Sequence, residues 1–301
     1  CIIYPKRFDL RCSMSPEIAG YFKKWFGPQR SIEICDALHQ NAEISIRINT
    51  LKTDKASVLE RLKTAGVDIF PSHFISDAAV IRTSGKPVYA LPGFREGEFT
   101  IQDEAAMLVG LIALPSAGSL VADLCAAPGG KTCHLGEIMK NTGNIVAFDL
   151  NASRIRLIDE NMRRLGIGII KCLEADARKI SIQELGGNKA DLVVADVPCS
   201  GLGILRRKPD IMLSMSHRKM LELYPLQKDI LNNAASLVKK GGYLVYSTCT
   251  LNPEENERRI ESFLADMNGR FETENFYEAL PEGILTEDES IVSGAKKGMI
   301  T

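Results

Sequence analysis

The sequence lacks three features, each of which would point to a particular environment or partner. Its eight cysteines include no Cys-x-x-Cys pair, no apolar run is long enough to span a membrane, and 37 basic against 38 acidic residues leave a net charge of −1. Such cysteine usage in a chain of 301 residues indicates reduced thiols, so we expect a soluble cytoplasmic protein without disulfides. The balanced charge excludes a generally basic nucleic-acid-binding domain, so any contact with RNA must use local patches.

Histidine is also scarce, which limits the metal sites that the chain can form. The four histidines, His39, His73, His134 and His217, show no ligand spacing with the cysteines, and we therefore expect no metal. The remaining composition, 45% hydrophobic and 25% charged, is that of an ordinary globular protein long enough for two domains. We expect it to act as a monomer.

The most informative stretch lies between residues 119 and 140. An apolar run at 119–124 predicts a buried parallel strand, residues 128–130 (Pro-Gly-Gly) predict a tight turn, and 131–140 predicts a helix. A strand, a glycine turn and a helix in this order bring backbone amides close to a ligand at the start of the helix.

Several nucleotide ligands can be compared for this turn. A Walker A loop needs a glycine at the position of Cys125, and a dinucleotide fingerprint needs three spaced glycines where only two adjacent ones occur. An adenosyl ligand without phosphate fits better, and we expect S-adenosylmethionine. Asp149 lies about 20 residues beyond the glycines, where such folds place a carboxylate on a ribose hydroxyl. A purely structural turn is the alternative that this stretch alone leaves open.

Three regions differ in pattern and suggest the domain boundaries. Residues 1–42 read as a helical segment, in which Ser15 and Pro16 mark a helix start. Residues 43–102 read as a small α+β subdomain with strands over 44–49, 80–82 and 98–101 and a helix over 54–65. Residues 103–301 alternate helices and apolar strands, which predicts an α/β fold with a doubly wound, mostly parallel sheet.

Ligands of such sheets bind beyond the carboxyl ends of the strands. The residues that directly follow the predicted strands all carry chemically capable side chains: Cys125, Asp149, Asp176, Asp196 and Cys249.

Two of the cysteines follow strands that we expect to be neighbours. The strand at 191–195 precedes Asp196 and Cys199, and the strand at 242–246 precedes Cys249. Adjacent strands lie about 4.8 Å apart, so the two thiols can face one pocket. A disulfide is disfavoured by the compartment and a metal site lacks ligands, which leaves reactive thiols beside a carboxylate, or buried inert cysteines.

A reactive thiol beside S-adenosylmethionine suggests methylation of a pyrimidine at C5. Cytosine C5 becomes nucleophilic once a thiolate has added to C6. Asp196 could supply the acid at N3 if burial raises its pKa, and the second thiol could assist the final elimination. Spacing alone does not tell which cysteine attacks.

At these residues the chain resembles the Nol/Nop/Sun family of RNA (cytosine-C5) methyltransferases. The resemblance rests on residues 123–132, 146–149, 176, 196–201 and 248–249. Residues 89–94, 100–103 and 206–211 resemble its bacterial RsmB/Sun branch, which acts on 16S rRNA. The resemblance implies that residues 103–301 form a Rossmann-like class I methyltransferase domain. It also implies that residues 43–102 are similar to an RNA-recognition module, and that residues 1–42 are the end of a truncated NusB-like domain.

The resemblance also implies roles for individual residues. Cys249 would be the nucleophile, Cys199 would assist product release, and Asp196 would lie between cofactor and base. The residues implied to bind S-adenosylmethionine are Cys125, Ala126, Ala127, Pro128, Gly129, Gly130, Lys131, Asp149, Asp176 and Asp196.

The expected substrate is a cytosine of 16S rRNA, methylated through a covalent cysteine–C6 adduct. Arg206, Arg207 and Lys208 follow the Cys199 loop and could bind phosphate beside a flipped base, although a charge run can also be a solvated face. Three alternatives remain: methylation of tRNA or another RNA, a catalytically idle RNA-binding factor of ribosome assembly, and a DNA cytosine methyltransferase.

Overall fold

Two sheets organise the chain, of which the computed structural model describes residues 8–285 and 289–300. One sheet has four strands and the other has five. Within the described residues, no helix is both long and apolar enough to cross a membrane.

The first residues that the structure describes form helices that pack on the larger domain. Helix α1 is Phe8–Arg11 and α2 is Pro16–Leu38, which starts with Ser15 as its cap as predicted and is broken at Gly27 (φ 74°) before Pro28. Phe22 of α2 is fully buried, and it belongs to an apolar cluster that includes Leu202, close to the predicted Cys199 loop. The helical segment is thus packed beside the region predicted to be catalytic.

The four-stranded sheet forms the small subdomain and is antiparallel in the order β2-β3-β1-β4. Its elements are β1 Ile44–Ile48, α3 Lys55–Thr64, β2 Asp68–Pro71, β3 Ala78–Thr83 and β4 Phe99–Ile101. Ile46 and Ile48 lie in the apolar core of the subdomain, as their alternation predicts. Between them, Arg47 lies on the opposite face and is nearly fully buried.

The five-stranded sheet is parallel throughout, in the order β7-β6-β5-β8-β9, which confirms the predicted fold class. Its strands are β5 Leu120–Asp123, β6 Asn144–Asp149, β7 Ile170–Glu174, β8 Ala190–Asp196 and β9 Val238–Ser247. The helices around and after it are α4 Glu104–Ala113, α5 Gly130–Ile138, α6 Ala152–Leu165, α7 Ile211–Ser214, α8 His217–Leu237, α9 Glu257–Met267, α10 Glu282–Leu285 and α11 Glu289–Lys296. β8 and β9 are neighbours, as expected.

Helices cover both faces of this sheet. On one face Val193 packs in a cluster with Ile230 of α8, and on the other Val194 packs in a cluster with Ile158 of α6. Burial on both faces explains why the central strands β5, β6 and β8 read as continuous apolar runs. The carboxyl ends of all five strands therefore meet at one edge, where the candidate site lies.

Candidate active site

The turn between β5 and α5 is built from small residues. Gly129 has φ 98°, and a Cβ there would lie 3.1 Å from the Cα and Cγ2 atoms of Ile158 on α6. Ala126 and Ala127 are buried, Cys125 is half-buried, and the Ala126 N–H donates to the Phe148 carbonyl at 2.8 Å. A side chain at Gly129 would be strained and crowded, so the close approach of the turn to α6 requires glycine.

Asp149 lies directly against this turn. Its carboxylate is 4% exposed, and it accepts hydrogen bonds from the backbone N–H groups of Ala127 (3.3 Å) and Asn151 (3.1 Å). Arg154 Nη1 lies 3.3 Å from the same carboxylate. The carboxylate predicted to hold a ribose is thus placed beside the predicted cofactor turn.

Asp176 lies at the same edge of the sheet, but its carboxylate has a different partner. The Ala175 N–H donates to the Asp149 carbonyl at 3.1 Å, which keeps the two segments together. The side chain of Asp176 is bonded to Arg178 (2.6 Å), and this hydrogen bond lowers the pKa of Asp176 to about 2. Its predicted place near an adenine stays a prediction.

Asp149→Ala should weaken binding of S-adenosylmethionine about 10- to 150-fold. Loss of charge-assisted hydrogen bonds to a ribose corresponds to about 1.5–3 kcal/mol. Calorimetric titration of the purified variant measures the affinity. Asp159→Ala is the matched control, because Asp159 is a half-buried aspartate of α6 that is paired with Arg163. An unchanged affinity for the Asp149 variant would remove this residue from the cofactor site.

Asp123 is a buried carboxylate that the sequence predictions do not include among the site residues. It is 1% exposed, and Thr132 Oγ1 donates to its Oδ2 at 2.7 Å. Its Oδ1 has no hydrogen-bond partner within the part of the chain that the structure describes. Burial raises the pKa of Asp123 to about 6. An acidic residue that ends an apolar strand just before the glycine turn is the signal that could have identified it.

The raised pKa of Asp123 makes the stability of the ligand-free protein depend on pH. Between about pH 4 and pH 6 the folded protein keeps a proton that the unfolded chain has lost, so the free energy of unfolding falls as pH rises. About two pKa units correspond to at most about 3 kcal/mol. Urea unfolding from pH 4 to pH 7 should show this fall for the wild type relative to Asp123→Asn, and parallel curves would contradict it.

A polar chain links α5 to the ends of β8 and β9. Lys131 Nζ donates to Asp196 Oδ2 at 2.6 Å, and Ser247 Oγ donates to Asp196 Oδ1 at 2.7 Å. Both Lys131 and Asp196 remain partly exposed. Lys131, predicted only to line the cofactor pocket, therefore reaches the carboxylate that was predicted to act on the base.

The structure brings the two predicted catalytic cysteines together. The Sγ atoms of Cys199 and Cys249 are 3.1 Å apart, and the backbone N–H of Cys249 donates to the Cys199 sulfur at 3.2 Å. Both are free thiols; Cys249 is exposed and Cys199 is half-buried. The Lys131–Asp196 ion pair acts electrostatically on Cys249, where Asp196 raises the pKa of the thiol and Lys131 lowers it.

Hydrogen bonding shifts the pKa values of the two thiols in opposite directions. Either sulfur can be the donor in the hydrogen bond between them, and this bond lowers the pKa of Cys249 against the opposing effects of burial and Asp196. The same bond, together with burial, raises the pKa of Cys199. Cys249 is therefore favoured as the thiolate and Cys199 as its protonated partner.

The basic residues after the Cys199 loop have partners within the protein. Arg206 Nη2 donates to the Asn41 carbonyl, and Arg207 Nη2 donates to the Glu43 carbonyl, both at 3.0 Å. Arg207 also pairs with Asp103. These bonds join the loop to the start of the small subdomain and leave fewer donors for phosphate, so RNA contact by Arg206, Arg207 and the exposed Lys208 stays a prediction.

Within residues 8–285 and 289–300, no group of three or more His, Cys, Asp or Glu side chains is placed to hold a metal.

Family models match two parts of the chain. The model of the 16S rRNA methyltransferase RsmB/F matches residues 111–289, and the model of an RsmF/B-like ferredoxin-like domain matches residues 21–88. The second match overlaps the small four-stranded subdomain, and the first covers most of the domain with the parallel sheet.

Similar sequences and structures agree with these matches. The "Probable ribosomal RNA small subunit methyltransferase B" of Synechocystis is 38% identical over 91% of this chain and 60% of its own length. The "Ribosomal RNA small subunit methyltransferase B" of Klebsiella pneumoniae is 39% identical over 79% of this chain and 54% of its own length. The chain therefore spans little more than half of these curated relatives.

Two solved structures from Pyrococcus horikoshii share the fold. A methyltransferase homolog protein is 29% identical, with a TM-score of 0.74 over 86% of this chain and 80% of its own. NSun6, solved with SFG, is 22% identical, with a TM-score of 0.76 over 84% of this chain and 87% of its own. The resemblance that the sequence motifs indicate is thus confirmed: the chain belongs to the RsmB/F family of 16S rRNA methyltransferases.

Proposed function

We propose that this protein transfers a methyl group from S-adenosylmethionine to C5 of a cytosine in 16S rRNA, through a covalent bond between Cys249 and C6 of the base. The observation that carries the proposal is the 3.1 Å contact between the Cys199 and Cys249 sulfurs beside the Lys131–Asp196 pair. The names of the similar bacterial proteins support rRNA as the substrate.

The residues at the turn fit an adenosyl cofactor. At the start of α5, a Cβ on Gly130 would meet only Gln102 Cδ, at 4.0 Å, so this end of the turn is open. Asp149 offers a buried carboxylate, and Asp123 Oδ1 is a buried acceptor without a partner among the described residues. S-adenosylmethionine, when bound, supplies the methyl group as an electrophile. NSun6, with the same fold, was solved with SFG, an S-adenosylmethionine analogue, which supports this choice of cofactor.

The first step that the chain performs is addition. The Cys249 thiolate forms a bond to C6, and the electrons of the C5–C6 double bond move through the ring to N3. A proton from the Lys131–Asp196 pair reaches N3 and neutralises the developing charge. C5 then has the enamine character that it needs to attack a methyl group.

The last step is elimination. Once C5 carries the methyl group, the proton on C5 leaves to water at this exposed edge of the sheet. The C5–C6 double bond then re-forms as the bond between C6 and the Cys249 sulfur breaks. The proton at N3 returns to the Lys131–Asp196 pair. The Cys199 thiol stabilises the departing Cys249 thiolate through the hydrogen bond between the two sulfurs.

A methyl-transfer assay with labelled S-adenosylmethionine tests the proposal. Purified protein is incubated with 16S rRNA, 23S rRNA, tRNA and a DNA duplex, and the labelled RNA is mapped by bisulfite sequencing. We expect label in 16S rRNA at a cytosine. Label in tRNA alone would move the substrate to another RNA, label in DNA would make the protein a DNA methyltransferase, and no label would favour an idle assembly factor.

A further inference from the structure

Glu255 is a fully buried carboxylate that the reaction steps above do not use. It lies in the turn between Cys249 and helix α9 and is 0% exposed. Its Oε2 accepts from the Ser200 backbone N–H (2.9 Å) and from Gln227 Nε2 (2.8 Å). Its Oε1 accepts from Asn252 Nδ2 (2.8 Å) and from the Ser200 hydroxyl. Buried carboxylates need partners, and these four donors serve both oxygens.

These bonds hold the Cys199 loop on both sides of the cysteine. After Cys199, the Ser200 backbone and hydroxyl are both bonded to Glu255. Before Cys199, the Pro198 carbonyl accepts from Gln227 Nε2 at 3.0 Å, and Gln227 is in turn bonded to Glu255. The loop therefore cannot shift without breaking bonds to a buried charge.

The next residue, Asn256, holds the Cys249 loop in the same way. Thr248 Oγ1 donates to Asn256 Oδ1 at 2.6 Å, and Asn256 Nδ2 donates to the Thr250 carbonyl at 2.9 Å. Cys249 lies between these two threonines. A hydroxyl contact of 2.7 Å between Ser200 and Thr250 joins the two loops directly.

We propose that Glu255 and Asn256 are positioning residues that hold Cys199 and Cys249, respectively, and together set the distance between the two sulfurs. The inference rests on the proposed function, since it assigns the two loops to separate steps. Neither side chain contacts a sulfur, so each acts through the loop that it holds. A displacement of about 1 Å can slow an oriented reaction about 100-fold, and the sulfur contact depends on both loops.

Isosteric changes at the two positions should therefore fail differently. Glu255→Gln places an amide N–H₂ against donors that need an acceptor, so the Cys199 loop should shift and release of the product should slow. Asn256→Asp places a carboxylate oxygen against the Thr250 carbonyl, so the Cys249 loop should shift and addition should slow. Glu254→Gln is the matched control, because Glu254 is the neighbouring glutamate and pairs with Arg258 at the surface.

The experiment follows labelled 16S rRNA on a denaturing gel with wild type, the three variants and Cys199→Ala. For Glu255→Gln we expect a protein–RNA adduct that persists about 10- to 100-fold longer than in the wild type. For Asn256→Asp we expect turnover reduced by a similar factor without an adduct. Glu254→Gln should match the wild type, and calorimetry should show unchanged cofactor affinity for all three variants.

A separate measurement without RNA keeps the two proposals distinguishable. The pH dependence of iodoacetamide alkylation, followed at Cys249 by mass spectrometry, reports the pKa of this thiol. Loss of the sulfur–sulfur hydrogen bond should raise that pKa in Glu255→Gln and in Asn256→Asp, and not in Glu254→Gln. If Glu255→Gln does not fold, Ser200→Ala removes two of the contacts and should show the same upward shift.

The positioning proposal is overturned if wild type methylates and Cys199→Ala traps an adduct, while Glu255→Gln releases product at the wild-type rate. It is also overturned if the pKa of Cys249 is unchanged in both isosteric variants. No methylation and no adduct in any protein, with the pKa shifts present, would reject the proposed function and leave the positioning of the thiols supported.

Discussion

Cys249→Ala should abolish methylation of RNA and should form no covalent complex. Without the sulfur there is no addition to C6, so C5 stays a poor nucleophile even when RNA and cofactor are bound. We expect a loss of turnover of at least about 1,000-fold, because removal of the nucleophile closes the covalent route. The incorporation of labelled methyl groups into 16S rRNA measures the loss, and cofactor affinity should remain within about twofold of the wild type.

Cys199→Ala should slow the last step of the reaction, the elimination that releases the RNA. Addition and methyl transfer should still occur, while the departing Cys249 sulfur loses the hydrogen bond at 3.1 Å that stabilises it as a thiolate. A denaturant-resistant complex of protein and RNA should therefore accumulate, and it should disappear in the double variant. The prediction follows from the lowered pKa of Cys249 and the raised pKa of Cys199.

Cys172→Ala controls for the loss of any thiol, because Cys172 is a half-buried free cysteine on β7, at the far edge of the sheet from β9. It should methylate RNA normally and trap nothing. If Cys249→Ala accumulates the complex and Cys199→Ala does not, the roles are reversed, and the cysteine that follows Pro198 is the nucleophile.

The large sheet is predictable from the sequence because its central strands β5, β6 and β8 are buried on both faces. A doubly covered parallel strand reads as an apolar run, and helices between such runs leave few topologies. In that topology the residues that follow the strands lie at one edge of the sheet. The sequence alone therefore predicts that Asp149, Asp196 and Cys249 lie at this edge. Strand β2 is not predicted, because Asp68–Pro71 is short, ends in proline and buries only Ile69.

What the sequence does not predict are contacts between residues that lie far apart in the chain. Lys131 and Asp196 are separated by 65 residues, and Glu255 and Ser200 by 55. Neither pair has a local pattern, because a lysine or glutamate in a loop is as consistent with a solvated surface as with a buried bond. The hydrogen bonds that Arg206 and Arg207 donate at the start of the small subdomain are also long-range contacts. A run of basic residues in the sequence does not show which acceptors its side chains will bind.

A nearly fully buried ion pair of long range joins the small subdomain to the cofactor turn. Arg47 of β1 forms two hydrogen bonds with Glu137 of α5, at 2.7 and 3.0 Å, and donates to the Gly130 carbonyl at 3.0 Å. The side chains of Arg47 and Glu137 are 2% and 4% exposed. Burial raises the pKa of Glu137, and Arg47 is the main influence that lowers it.

Arg47→Met should lower the free energy of unfolding by about 3–5 kcal/mol, because it leaves the Glu137 carboxylate buried without its partner. Urea unfolding measures the loss at pH 8. Without Arg47 the pKa of Glu137 should rise further. At pH 5 the folded variant should then carry a proton on Glu137 that the unfolded chain does not, so the decrease in the free energy of unfolding should be smaller at pH 5 than at pH 8.

Arg163→Met is the matched control, because Arg163 pairs with Asp159 at the surface of α6 with 75% of its side chain exposed. That variant should lose at most about 1 kcal/mol and show no such pH dependence. The double variant Arg47→Met with Glu137→Met should recover part of the stability, because no unpaired buried charge remains. A loss below about 1 kcal/mol for Arg47→Met, equal at both pH values, would show that this ion pair does not hold the subdomain on the cofactor turn.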